Sequence, residues 1–162
     1  MSIAPVADPY FDDYAVGDRF ACGSVTVSDA EIIEFASRYD PQTKHVDPAA
    51  AAASAFGTLI ASGWQTAALS MQLLIARGIL SGEYAVGVGI DDLRWLAPVR
   101  GGDTLSLTVR VVACTLSRPD ARRGTIRAFM EMRNQRETVV FTQTAILSLR
   151  RRDATAKGPS PA

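Results

Sequence analysis

Between Leu59 and Leu80 lies the longest apolar stretch of the chain, and it limits what the rest can fold into. Ser62, Gly63, Gln65, Thr66, Gln72, Arg77 and Gly78 interrupt it, which makes it too polar for a membrane span. It reads instead as a core helix starting near Ser62-Gly63 and running to about Gly78. Trp64, Ala67, Ala68, Met71, Leu74 and Ile75 fall on one face, but Leu69 and Leu73 fall on another. A helix apolar nearly all round is buried on most sides. The remainder of the chain must wrap it.

Four later segments have the pattern to do so: Tyr84 to Trp95, Asp103 to Thr115, Arg123 to Arg133 and Thr138 to Arg150. Leu105, Leu107, Val109 and Val111 alternate onto one face; so do Ile126, Ala128, Met130 and Met132, and Val139, Phe141, Ala145, Leu147 and Leu149. Turn residues at Ser117-Arg118-Pro119-Asp120 and Asn134-Gln135-Arg136 imply an antiparallel meander. Upstream, residues to Val16 read as irregular, and Arg19 to Val27 as a first strand. Ser28-Asp29-Ala30-Glu31 has the form of a capping box, which predicts a short helix to Arg38 or Tyr39. Pro41 ends it, because a residue before proline is driven from helical dihedrals. The stretch to Val46 is expected as loop, and Asp47-Pro48 as cap and first residue of a brief alanine helix. The predicted fold class is α+β, with about five antiparallel strands around a long helix in one domain, residues 1–150. Residues 151–162 have no apolar periodicity and read as a disordered tail. An open sheet edge would be covered by dimerisation.

The chain has 162 residues, enough for one core without metals or disulfides. Its formal charge is zero and its arginines are scattered, which argues against a nucleic-acid partner. Cys22 and Cys114 form no metal-ligand spacing and read as buried thiols of a reducing compartment. The N-terminus lacks the charged start and apolar run of a secretory signal, so a cytoplasmic location is expected.

His45 is the only histidine. That excludes a histidine-rich metal site, and without a Gly-x-Ser-x-Gly elbow no serine is marked as nucleophile. Gly87-Val88-Gly89 lacks the third glycine and the following helix of a dinucleotide fingerprint. What remains is the polar loop Asp40-Pro41-Gln42-Thr43-Lys44-His45-Val46-Asp47 between helical segments, where function concentrates. On spacing alone an Asx-turn accounts for Asp40 better than catalysis does, and Asp47 is accounted for as a helix cap.

This segment resembles the signature of the MaoC-like dehydratase and (R)-specific enoyl-CoA hydratase family, Asp-x-Asn-Pro-x-His-x-Asp followed by Ile-Ala-x-Gly. Here stand Asp40, Gln42, Thr43, His45 and Asp47, then Leu59-Ile60-Ala61-Ser62-Gly63-Trp64. The resemblance extends to Tyr14-Ala15-Val16-Gly17-Asp18 and to the run from Leu93 to Asp103. Gln42 replaces the asparagine but keeps an amide, whereas Thr43 and Lys44 replace a proline and an often apolar residue.

The resemblance implies a hot-dog fold, a homodimer or dimer-based assembly, and reversible hydration of a 2-enoyl thioester to a 3-hydroxyacyl thioester. It implies Asp40 and His45 as the catalytic pair, with Gln42, Ser62, Gly63 and Trp64 in contact with substrate. His45 would take a proton from water while Asp40 holds that water and returns a proton to carbon. Backbone amides near Ser62-Gly63 would stabilise the thioester oxygen. No metal or redox cofactor is implied, since coenzyme A or an acyl-carrier-protein arm belongs to the substrate. The same fold also supports thioesterases and non-catalytic acyl-thioester-binding subunits. Trp64, Met71 and Trp95 could line an acyl tunnel or pack in the core, and core is the safer assignment.

Overall fold

The computed structural model describes residues 9–79 and 85–152. Its elements are β1 (Arg19–Thr26), α1 (Asp29–Tyr39), α2 (Thr43–Val46), α3 (Pro48–Ala52), α4 (Gly63–Ala76), β2 (Ala85–Trp95), β3 (Thr104–Leu116), β4 (Arg123–Arg133) and β5 (Val139–Arg150). The five strands form one antiparallel sheet in the order β1-β3-β4-β5-β2. This is a hot-dog domain, with α4 laid across one face of the sheet.

The strands form where alternation foretold them. Leu105, Leu107, Val109 and Val111 of β3 are buried, as are Ile126, Ala128, Met130 and Met132 of β4 and Phe141, Ala145, Leu147 and Leu149 of β5. Adjacent strands align these stripes: Val109 lies opposite Met130, and Ala128 opposite Ala145. Together they make a continuous apolar floor. Tyr84, the expected start of β2, and the tail from 153 lie outside the described residues.

Local chemistry sets the helix starts. The Ser28 hydroxyl accepts from the Glu31 N–H while the Glu31 carboxylate accepts from the Ser28 N–H, the reciprocal capping box expected at α1. Asp47 accepts from the Ala49 and Ala50 N–H groups and caps α3. Two expectations fail here. Residues 43–46 are a single helical turn instead of loop, and Phe11–Asp13 in the leading segment form a 3-10 helix.

A larger correction concerns α4. It is not wrapped all round. Its buried residues are Gln65, Thr66, Ser70, Leu73 and Leu74, whereas Trp64 and Ile75 stay 57% and 49% exposed. The expected apolar face therefore points largely away from the sheet. Small hydroxyl residues can face the sheet because a helix carbonyl satisfies them: the Ser70 Oγ donates to the Ala67 carbonyl at 2.7 Å. Against the sheet, α4 packs over β1 and β3, at the side far from β2. Trp95, at the end of β2, packs on Gly63 and Trp64 at the start of α4, while Ile90, opposite buried Ala145, is half exposed. Among the described residues no helix is long and apolar enough to cross a membrane.

Phe141 has no exposed surface and lies between Met132 of β4 and Trp95 of β2. Phe141→Ala is expected to destabilise the fold by about 3–5 kcal/mol, measured as a lower denaturant midpoint at unchanged slope. A loss below about 1 kcal/mol would contradict this packing.

Candidate active site

The turn at α2 exists to bury one imidazole. His45 is 4% exposed, and its Nδ1 lies 2.7 Å from the Ile60 carbonyl oxygen. A carbonyl only accepts, so Nδ1 carries the hydrogen and the neutral ring presents its lone pair at Nε2. A second bond ties the two segments together: the Ile60 N–H donates to the Lys44 carbonyl. The segment from Leu59 to Ala61 is itself buried, and the Ala61 N–H donates to the Val99 carbonyl, which anchors the segment against the chain entering β3.

Asp40 stands at the end of α1, where Pro41 stops the helix, and aims its carboxylate at the start of α4. Its Oδ2 accepts from the Ser62 hydroxyl at 2.7 Å and lies 3.5 Å from His45 Nε2; its Oδ1 accepts from the Gln42 amide at 2.7 Å. The Gln42 carbonyl oxygen in turn accepts from the Lys44 ammonium at 2.8 Å. The Ser62 hydroxyl, followed by the Gln42 amide, holds the Asp40 pKa below the ordinary carboxylate value. Asp40 is therefore an anion at neutral pH. The gap of 3.5 Å to Nε2 is longer than a good hydrogen bond and leaves that lone pair available to a third group.

The third component is the N-terminus of α4. Ser62 is fully buried, and its Oγ accepts from the Trp64 N–H at 3.2 Å while donating to Asp40. The Gln65 and Thr66 N–H groups bond back to the Ser62 carbonyl, but the Gly63 N–H has no acceptor among the described residues. An unpaired N–H at the positive end of a helix is suited to an oxyanion. Gly63 is required for a packing reason as well. A Cβ there would lie 2.5 Å from the Trp95 ring, whose Nε1 donates to the Gly63 carbonyl at 2.8 Å.

All of these groups face one open cavity of about 470 Å³, walled by Phe56, Trp64, Trp95 and Leu96. Each residue singled out in the sequence, Asp40, Gln42, His45, Ser62, Gly63 and Trp64, lines it or is bonded to a group that does. The assignment of Trp64 and Trp95 to the core is wrong. Both line the cavity, half exposed, with their rings edge to face at 5.2 Å. Met71 packs at the edge of the core and does not reach the cavity. Sequence reasoning missed the Ile60 carbonyl, which no side-chain pattern could reveal, and Thr66 at the cavity wall.

Comparison with known proteins agrees with this geometry. Residues 15–132 match the model of the MaoC-like domain. The chain belongs to the MaoC-like domain family. Among family relatives, Bacillus subtilis YdeM is 32% identical over 130 residues, covering 80% of this chain and 91% of its own. The 3-hydroxyacyl-thioester dehydratase Z of Mycobacterium tuberculosis is 35% identical over 109 residues, covering 64% of this chain and 68% of its own. The crystal structure of a MaoC-like dehydratase from Rhodospirillum rubrum superposes with a TM-score of 0.83 at 40% identity, over 89% of this chain and 98% of that one. The MaoC-like match spans the whole hydrogen-bonded cluster from Asp40 to Gly63.

Since Ser62 does most to depress Asp40, Ser62→Ala is expected to let the Asp40 pKa rise. Any rate that needs the Asp40 carboxylate falls as acid protonates it, so the acid limb of the rate profile should move to higher pH in the variant. The lost cap should also cost about 1 kcal/mol of stability. An unmoved acid limb would contradict the role assigned to the hydroxyl.

Proposed function

We propose that the protein catalyses the reversible hydration of a 2-enoyl thioester to a 3-hydroxyacyl thioester, carried on coenzyme A or an acyl-carrier-protein arm. The observation that carries this reading is the convergence of three groups on one cavity: an imidazole lone pair, an ionised carboxylate and an unpaired helix N–H. Water between Asp40 and His45 donates one hydrogen to each. A lone pair of its oxygen attacks the β-carbon, the π electrons move onto the thioester oxygen, and the Gly63 N–H stabilises the resulting enolate.

The proton leaving water goes to His45 Nε2, where the Asp40 carboxylate stabilises the imidazolium. Because Asp40 is anionic at rest, it is no reservoir of protons. The proton it returns to the α-carbon is the one water has just supplied through His45. Water is thereby consumed whole, one hydrogen and the hydroxyl appearing on adjacent carbons, and no redox step enters the balance. Resemblance to (R)-specific hydratases supports the R configuration for the new hydroxyl. Dehydratase activity recorded in the name of the mycobacterial relative supports the reaction class.

The working unit in this reading is a homodimer. β2 is a sheet edge, with Ile90 and Trp95 exposed, and Trp95 packs on the exposed Trp64 of α4. A second copy laid along β2 would continue the sheet and cover this apolar surface, including the open wall of the cavity.

Asp40→Asn and His45→Ala are each expected to lower hydration of crotonyl-CoA by at least about 10²-fold, followed as loss of enoyl absorbance, with the thermal transition retained. Full activity in both variants would refute the assignment. Light scattering should give twice the chain mass, shifting toward the monomer in Ile90→Arg; a monomeric parent protein would refute the dimer.

A further inference from the structure

Lys44 stands in the signature loop where an apolar residue is usual, and its surroundings give the charge a use. Among the described residues it is the only lysine or arginine lining the cavity. Its ammonium donates to the neutral Gln42 carbonyl oxygen at 2.8 Å, and among the described residues no carboxylate comes within ion-pair distance of it. Gln42 is itself fixed by its bond to Asp40 at 2.7 Å, so the cation is held in place from the catalytic side. The surrounding wall is aromatic and apolar, and a part-buried cation beside such a wall is screened less than one in open water. Resting on the hydration reading above, we propose that Lys44 is a specificity residue that pairs with a carboxylate on the acyl chain, so that the substrate is a short dicarboxylic 2-enoyl thioester.

The scale of the site selects the acyl carboxylate over the other anion a thioester brings. One amide and two hydrogen bonds separate the Lys44 ammonium from the Asp40 carboxylate that handles the reacting carbons. An anion paired with Lys44 therefore lies within a few carbons of the double bond. A terminal carboxylate on a chain of four or five carbons is that close, whereas the phosphates of coenzyme A lie beyond the whole pantetheine arm. The two remaining ammonium hydrogens can both point at the incoming carboxylate while the third stays on Gln42.

The test compares glutaryl-CoA with valeryl-CoA, equal in chain length and unreactive toward hydration, by calorimetric binding to the parent protein and to Lys44→Met. It is repeated with the corresponding pantetheine thioesters, which lack phosphates. In parallel, hydration of glutaconyl-CoA is compared with that of pent-2-enoyl-CoA.

The parent protein is expected to favour the dicarboxylic ligand by about tenfold at low salt, less at high salt, in both carrier forms, and Lys44→Met to abolish the preference. Hydration of both enoyl substrates at equal efficiency, without a binding preference, would overturn the specificity and leave the reaction standing. Preferential binding without hydration would support the specificity and overturn the reaction. Equal weakening of both CoA ligands by Lys44→Met, absent with pantetheine thioesters, would overturn the proposal by assigning the cation to phosphate. Failure of every thioester to bind, or a preference that survives Lys44→Met, would overturn it as well.

Discussion

The Ser62 hydroxyl is buried completely and serves two groups at once, accepting from the Trp64 N–H and donating to the Asp40 carboxylate. A hydroxyl can do both, and few other side chains can. The hydroxyl that caps α4 is therefore also the one that holds Asp40 and lowers its pKa. From it the rest follows in short steps. Asp40 is brought beside His45, His45 is locked by the Ile60 carbonyl, and the next peptide, at Gly63, presents an N–H with no acceptor among the described residues. The start of the helix and the proposed catalytic cluster share one hydroxyl, so a change at Ser62 disturbs both.

That arrangement leaves one flank unfinished. Because α4 packs toward β1 and β3, the cavity opens beside β2, where Trp64, Trp95 and Leu96 remain half exposed. Trp95 holds Gly63 by a bond to its carbonyl and by filling the space a Cβ would need. The residue that shapes the proposed oxyanion position is thus on the edge strand, where the proposed second copy would cover the apolar surface.

Strand placement was legible in the sequence because the sheet has one buried face, and alternation such as Leu105-Leu107-Val109-Val111 survives any change of detail. Capping chemistry was equally readable at Ser28 and Asp47, where the signal is local. The face of α4 was not, since hydrophobicity assigns Trp64 and Ile75 to the inside, whereas Thr66 and Ser70 are the residues buried. A helix carbonyl satisfies the Ser70 hydroxyl, and the larger side chains are left for the cavity and its open flank. Likewise α2 is a single turn, too short for any period to register. Asp40 and His45 could be named only through a family resemblance; what holds them, the Ile60 carbonyl and the unpaired Gly63 N–H, is backbone and has no signature.

The central claim is that water held by Asp40 and His45 is delivered to the β-carbon and not to the thioester carbonyl. Incubating the protein with an enoyl-CoA in heavy-oxygen water and locating the label by mass spectrometry tests it directly. The account predicts label in the 3-hydroxyl of an intact thioester. Label in a free carboxylate, with release of coenzyme A, would contradict it.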